Sequence, residues 1–394
     1  MIIKFLKGLR LVFCNCMAFV FRICPIKKRK IFITSYYGKG YGDNPKYIIE
    51  ALLRKEKNVK IIWAIRKESD KSIFPEQVQL VYNYSIHSIY HLATAKIWID
   101  NCRKIPIMKR KKQVYIQTWH GFALKRIEKD AENVLSKNYV RFARRDSKKI
   151  NIIVSDSQFM TRIYQKSFWY NGAIVEWGMP RTDIIVKGGN FNRESFFDFY
   201  HLDITKKIIL YAPTFRANQS TSVYNIDYNI LQRTCKEKFG EDFVVLVRLH
   251  PNIMKKCNDL MFNNNVINMT YYPDIQELLL LADICITDYS SLMFDFALSK
   301  KPCFLFATDI ELYKKDRNFY FDIEKLPFPL CKDNPQLQKS ILDFDMKQYN
   351  MDLEAFFDKV GMIRDGKASE RCVRFIEEQM GEKRNEKNNN IWNI

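Results

Sequence analysis

Short apolar runs alternate with amphipathic runs of helical period along most of this chain, and that alternation limits the fold more than any other feature. In the first half the runs "KIFITS", "VKIIWAIR", "QLVYN", "KIWIDN", "QVYIQT", "NIIVSD" and "AIVEWG" read as strands. "KYIIEALLRKE", "SIHSIYHLATA" and "DSQFMTRIYQKSF" read as helices between them. Strands that are apolar throughout, with helices in between, predict a parallel sheet covered on both faces. The stretch 187–207, rich in Gly, Asn and charge, interrupts the pattern. It then restarts with "KIILYAPT", a helix near 227–239, "FVVLVRLHP", "VINMT", "DIQELLLLAD", "ICITDYSS", "SLMFDFALSK" and "PCFLFA". Two α/β halves facing each other across a cleft are expected, over 31–190 and 191–380, with a fraying tail at 381–394.

The first thirty residues, "MIIKFLKGLRLVFCNCMAFVFRICPIKKRK", resemble a signal peptide only superficially. Their longest charge-free stretch, Leu11 to Phe21, is shorter than the ~18 apolar residues a spanning helix needs. No small-residue cleavage site follows. On a helix, Lys4, Gly8, Leu11, Asn15, Ala18 and Arg22 form one mostly polar or small stripe, and the remaining surface is apolar. The pattern suits a helix lying in a membrane interface, with Lys27, Lys28, Arg29 and Lys30 against anionic headgroups; packing on the protein's own core is the competing reading. A net charge of +20 over 394 residues calls for an anionic partner: nucleic acid, anionic lipid or a phosphate-rich substrate. The ten cysteines show no CxxC pair and no zinc spacing, and read as reduced core thiols of a cytosolic protein.

Four segments place polar groups directly after a strand. "QTWHGFALKRI" carries Trp119, His120 and Gly121, with Lys125 and Arg126 close behind. A histidine there could take a proton from a hydroxyl, and the glycine permits a tight turn or a close approach. In "VVLVRLHPNI" the i, i+2 spacing puts Arg248 and His250 on one face. A phosphate between them, or an ion pair of Arg248 with Asp288 or Asp283, would satisfy the arginine. In "ADICITDYSSLMFDFALSK" a strand ends at Thr287 and a helix begins near Ser290. Asp288 and Ser290 suit an ordinary N-cap; equally, the helix start and the hydroxyls of Thr287, Ser290 and Ser291 suit a phosphate. In "ILYAPTFR", Thr214 and Arg216 stand at a strand end, where the arginine could grip a diphosphate bidentately. There is no Walker loop, no GxGxxG after a strand and no HExxH, so neither a cofactor nor a metal is expected.

In series, "TWHGFALKR", "WGMPRTDII", "YAPTFR", "RLHP", "DIQELLLLADICITDYSSLMFDFALSKKPCFLF" and "DGKASERCVRFI" resemble the CDP-glycerol (polyol-phosphate) glycerophosphotransferases of teichoic-acid and related polymer synthesis. The resemblance covers about residues 31 to 380. It implies a GT-B fold of two Rossmann-like halves, with a C-terminal helix crossing back to the first. It implies peripheral association with the cytoplasmic face of the cell membrane. It also implies transfer of a polyol phosphate from CDP-glycerol or CDP-ribitol to a lipid-linked polyol-phosphate or saccharide acceptor, with CMP released. Carried over by motif, His120 is the general base and His250 contacts the donor diphosphate. Thr287, Asp288, Tyr289, Ser290 and Ser291 hold donor phosphates, with Arg181 and Arg216 as further contacts; Trp119, Gly121, Thr214 and Arg248 complete the donor-binding set. Phe122-Ala123 stands where the family often has Thr-Pro, and Asn318 where it commonly has glycine; both departures point to an altered acceptor or polyol pocket. A nucleotide-sugar glycosyltransferase of the same fold is the alternative enzyme. A basic module using the lysine runs at 27–30 and 109–112 is the non-enzyme alternative, but no nucleic-acid-binding pattern is present.

Overall fold

The fold is that of a computed structural model, which describes residues 2–55, 58–104, 107–189, 191–216, 221, 223–250, 253–254, 256–257, 262–316 and 318–381. Two parallel sheets form it. The first contains β1 (Lys27–Thr34), β2 (Lys60–Ile65), β3 (Val78–Tyr82), β4 (Ala95–Asp100), β5 (Val114–Gln117), β6 (Ile152–Ser155) and β7 (Ala173–Glu176), in the order β3-β2-β1-β4-β5-β6-β7. The second contains β8 (Lys207–Tyr211), β9 (Phe243–Val247), β10 (Val266–Asn268), β11 (Ile284–Thr287), β12 (Cys303–Phe306) and β13 (Leu330–Cys331), in the order β10-β9-β8-β11-β12-β13. Every run read as a strand is one. In both sheets the order reverses beside the first strand, at β1/β4 and at β8/β11, and a crevice opens at such a switch point.

Period-2 alternation explains why both faces of the first sheet are covered. Phe32, Ile62 and Trp98 point into one core, while Ile31, Ile33, Trp63 and Ile97 point into another. The second core is closed by the C-terminal helix Ala368–Met380, through Cys372, Val373, Phe375, Ile376 and Met380. The helix starts where the Asp183 carboxylate accepts the backbone N–H groups of Ala368 (3.1 Å) and Ser369 (2.7 Å), two donors a helix start leaves without partners. Lys55 and Glu377 pair at 2.6 Å further along. The last helix thus belongs to the first half, as a GT-B fold requires. The tail at 382–394 lies outside the described residues.

The N-terminal helix Ile2–Val20 corrects one expectation. Part of its small and polar stripe faces protein: Ala18 is buried, as is neighbouring Cys14, and Asn15 Oδ1 accepts the N–H of Met108 at 3.2 Å, while Arg22 beyond the helix is exposed. Arg10 lies over the Tyr84 ring at 4.2 Å. Leu9, Val12, Phe13, Phe19, Val20 and Ile23 are exposed on the other side. A second correction concerns the basic run. β1 begins at Lys27, inside the segment read as membrane-associating, and Lys30 is buried in the sheet. Its Nζ donates to Thr94 Oγ1 at 2.6 Å, and burial, with Lys27 and Lys60 nearby, pushes its pKa down to about 8. Lys27 and Lys28 alone of that run stay exposed. No helix among the described residues is long and apolar enough to cross a membrane.

Ile376 is fully buried against the first sheet. Ile376→Ala is expected to cost about 2–5 kcal/mol, seen as a lower urea midpoint by circular dichroism. An unchanged midpoint would show that the crossing helix adds no packing to the first half.

Candidate active site

The turn after β5 is shaped by its own side chains. Gln117 Oε1 accepts the N–H of Trp119 at 2.9 Å, and Gln117 Nε2 donates to the Cys102 carbonyl at 2.9 Å. Trp119 adopts φ +52° and Gly121 φ +148°. The buried Trp119 ring lies 4.2 Å from the His120 ring and meets Phe168 edge-on at 4.8 Å. His120 Nδ1 lies 2.7 Å from the Asn101 carbonyl oxygen. A carbonyl only accepts, so Nδ1 carries the proton and Nε2 keeps its lone pair. Burial lowers the His120 pKa below the ordinary histidine value, against the opposing pull of the Asn101 bond and of Asp43. The neutral, Nε2-basic form is therefore the one present at neutral pH.

Gly121 is required by proximity. A Cβ there would stand 2.9 Å from Ser291 Oγ and 3.1 Å from Arg181 Nη2, so the His120 turn lies directly against the second half. Arg181 sits at this junction, 5% exposed. It donates to Asp43 Oδ2 at 3.2 Å and to the His120 carbonyl at 2.8 Å, and it pairs with Asp295 Oδ2 at 2.8 Å. Read from sequence as a donor contact, its guanidinium is instead engaged in tying the two halves together. Lys46 of the first half repeats the theme, with Asp274 at 2.7 Å and Glu277 at 2.6 Å. Elsewhere along the junction, Arg126 N donates to the Asn318 carbonyl at 2.8 Å and Tyr320 N to the Leu124 carbonyl at 2.8 Å. Phe122 is buried among Phe159, Phe294, Phe321 and Phe356. Phe122-Ala123 thus lies in a packed part of the junction between the halves, while Asn318 is exposed and meets the first half through its backbone carbonyl.

In the second half most of the singled-out polar side chains face inward. Asp288, 1% exposed, accepts the backbone N–H of Thr214 (2.8 Å) and of Tyr289 (2.6 Å) as well as the Thr214 hydroxyl, and pairs with Arg216 Nη1 at 2.9 Å. Thr287 Oγ1 donates to the Ala212 carbonyl at 2.7 Å. Tyr289 OH donates to Asp309 Oδ1 at 2.9 Å, and its ring stacks on Tyr313 at 3.8 Å. Arg216 is bidentate, but its partner is the Asp309 carboxylate, at 2.6 and 2.9 Å, and not an exposed phosphate position. Thr214, Arg216, Thr287, Asp288 and Tyr289 therefore form a frame by their side chains. Ser290 and Ser291, half-buried, follow it toward the cleft. The helix they precede, Leu292–Ala297, starts later than expected and receives no side-chain cap from Ser291.

Arg248 and His250 follow the end of β9. Neither expected carboxylate reaches Arg248: Asp288 pairs with Arg216, and Asp283 lies 3.7 Å from Arg193 and 3.9 Å from Lys301. Arg248 Nη2 donates to the Tyr272 carbonyl at 3.0 Å, and its Nε is buried without a partner. Burial lowers its pKa. His250 is pushed down to about 4 by burial, then by Lys125, Lys39 and Arg248. Lys125 and Lys39 come from the first half, so both halves direct cations at one place. Lys39 was not singled out from sequence; its signal is the glycine-rich turn "YGKGYGD" after β1. Asn101, Asp43 and Asp295 were also missed, because their partners are distant in sequence. Among the described residues no three His, Cys, Asp or Glu side chains cluster as a metal site.

Arg181→Met leaves Asp43 and Asp295 buried without their cation. It is expected to destabilise by about 3–5 kcal/mol, measured by urea unfolding. A loss below about 1 kcal/mol, the range of exposed pairs, would mean that the junction does not depend on it.

Residues 16–378 match the family described as CDP-Glycerol:Poly(glycerophosphate) glycerophosphotransferase. The chain is 32% identical over 372 residues to a teichoic acid poly(glycerol phosphate) polymerase of Staphylococcus epidermidis, covering 91% of this chain and 52% of that protein. It is 31% identical over 389 residues to a protein of the same description from Bacillus spizizenii, covering 94% and 98%. The chain thus spans about half the length of the first of these relatives and nearly all of the second. A solved structure of a histidine variant of the wall teichoic acid polymerase TagF, soaked with CDPG, superposes with a TM-score of 0.81 at 30% identity, covering 96% of this chain and 98% of that one. The strand-end motifs, the crossing helix and the match over most of the length agree: the chain belongs to the CDP-glycerol:poly(glycerophosphate) glycerophosphotransferase family.

Proposed function

We propose that this protein transfers a glycerol-phosphate unit from CDP-glycerol to a hydroxyl of a lipid-linked acceptor, releasing CMP, in the synthesis of teichoic acid or a related cell-surface polymer. The observation that carries the reading is His120. Its Nδ1 is fixed on the Asn101 carbonyl, and its turn lies against Ser291, across from the cations that surround His250. In the reaction the acceptor oxygen attacks the β-phosphorus of the donor while His120 Nε2 takes its proton. The phosphoanhydride bond breaks toward CMP, whose growing charge meets Arg248, His250, Lys39, Lys125 and the Ser290 and Ser291 hydroxyls. His250 is neutral without ligand because burial, and then the crowding of Lys125, Lys39 and Arg248, lower its pKa. A bound diphosphate offsets that crowding and raises its pKa, letting it carry charge as CMP departs. Glycerol is preferred to ribitol as the polyol because both relatives named above are poly(glycerol phosphate) polymerases.

The same reading places the protein peripherally on the cytoplasmic face of the membrane. The exposed apolar face of the N-terminal helix supports it, as does a basic turn beside that helix's end. Arg110 Nη1 donates to the Cys24 carbonyl at 2.7 Å, which brings the run Lys109–Lys112 next to Lys27 and Lys28.

The test is CMP release from CDP-glycerol and CDP-ribitol, with and without vesicles carrying lipid-linked acceptor. Release from CDP-glycerol is expected, lost by a factor of about 10²–10⁴ in a folded His120→Ala. Because the proton acceptor must be neutral and burial lowers the His120 pKa, activity should hold at pH 7 and fall only below the ordinary histidine value of about 6.5. No release from either donor, with release from nucleotide sugars, would replace this reading by a glycosyltransferase. Separately, Phe13→Asp with Phe19→Asp is expected to abolish pelleting with anionic vesicles; unchanged pelleting sinks the membrane reading.

A further inference from the structure

Arg103 touches no part of the cleft chemistry, yet it is 1% exposed and stands between both supports of His120. We propose that Arg103 is a positioning residue that holds the His120 imidazole in its Nδ1–H tautomer and in its ring orientation. The kinetic part of the test rests on the transferase reading; the spectroscopic part does not.

One support is the backbone after β4. Asn101, whose carbonyl receives Nδ1–H, is two residues before Arg103. The arginine anchors that segment from within: Nη2 donates to Glu128 Oε2 at 2.8 Å and Nη1 to Ser147 Oγ at 2.8 Å, with Asp146 Oδ2 at 3.6 Å. Lys104 anchors the next residue, on Asp100 Oδ2 at 3.0 Å and Thr34 Oγ1 at 2.9 Å. The other support is the ring stack. The guanidinium lies 4.5 Å over Phe168, and Nη2 also reaches the Phe168 carbonyl at 3.4 Å. Phe168 meets Trp119 edge-on, and Trp119 covers the His120 ring. One planar group therefore bears on the imidazole from its hydrogen-bonded edge and from its face. The geometry needs a fork: three acceptors lie in different directions, which an ammonium on a flexible stem does not match. The charged and titratable groups facing His120 itself are Asp43, Arg181, Glu128, Cys102 and Tyr36.

The tautomer is read in the full-length protein by ¹⁵N-histidine NMR, with His120 assigned by loss of its signals in His120→Gln. Wild type should show Nδ1 protonated. Arg103→Gln should show exchange with the Nε2–H form, and Arg103→Lys should restore little. In CMP release, kcat should fall about 100-fold, the scale of a 1 Å misplacement. KM for CDP-glycerol should stay within about twofold, on the same argument that only the base is displaced. The acid limb of the pH profile should also move. Phe168→Leu keeps every ion pair of Arg103 and removes the stack, so it reports even if Arg103→Gln does not fold; it too should broaden the tautomer signal and lower kcat. Folded variants that keep the wild-type tautomer and pH profile overturn the proposal. If wild type releases no CMP, the transferase reading fails alone, and the tautomer comparison still decides this inference.

Discussion

One guanidinium between two carboxylates from different halves sets the geometry on which the cleft depends. Arg181 bridges Asp43, at the start of the helix after β1, and Asp295, in the helix after β11. Burying such a group is costly unless it is fully paired, and here the pairing needs both halves at once. With the halves apart, Arg181 would lose one carboxylate and Asp295 its cation. The arrangement couples the relative position of the sheets to the His120 turn, because the same guanidinium also holds the His120 carbonyl. Lys46 with Asp274 and Glu277, and the pairing of 124–126 with 318–320, reinforce that position along the junction.

The sheets were legible in the sequence because buried parallel strands are apolar on both faces, and no other element in this chain imitates that over so many repeats. β13 was not, since a two-residue edge strand carries no periodicity. The helices Lys137–Ser147, Asn334–Leu342 and Met346–Val360 were passed over too; the last two follow the final strand, where no further strand marks the alternation. Among the site residues, sequence located the strand ends and the histidines. It could not tell which way each side chain turns there, because that depends on partners far along the chain. Asp309 captures Arg216 across 93 residues and Asp295 captures Arg181 across 114. Lys30 followed the same logic: a basic run suggested a surface, but the sheet register placed its last member inside.

The motifs divide labour in a way their contiguity hides. In Trp119-His120-Gly121 only the histidine offers chemistry; the tryptophan fixes its ring, and the glycine lets the turn approach Ser291. In Thr287-Asp288-Tyr289-Ser290-Ser291 the first three side chains are engaged behind the strand end, and the last two reach the cleft. A motif is thus a frame and a working group written in consecutive letters. For Thr287, Asp288 and Tyr289 the constraint differs from catalysis: replacing any of them would strand a hydrogen-bond partner.

Charge follows the same division. Interior cations such as Arg103, Arg181 and Arg216 are each matched by carboxylates, so they contribute nothing to the attraction of a ligand. Arg248 differs in having no ion pair among the described residues; its buried Nε, like those of Arg103 and Arg181, has no hydrogen-bond partner. Together with Lys39 and Lys125 of the first half, which add to the effect of burial on His250, it brings positive charge from both halves to one place. In the proposed reaction this is where the anionic donor would bind. Its binding would relieve the repulsion that Lys39, Lys125 and Arg248 exert on His250 and draw the halves together, in the alignment Arg181 already prescribes.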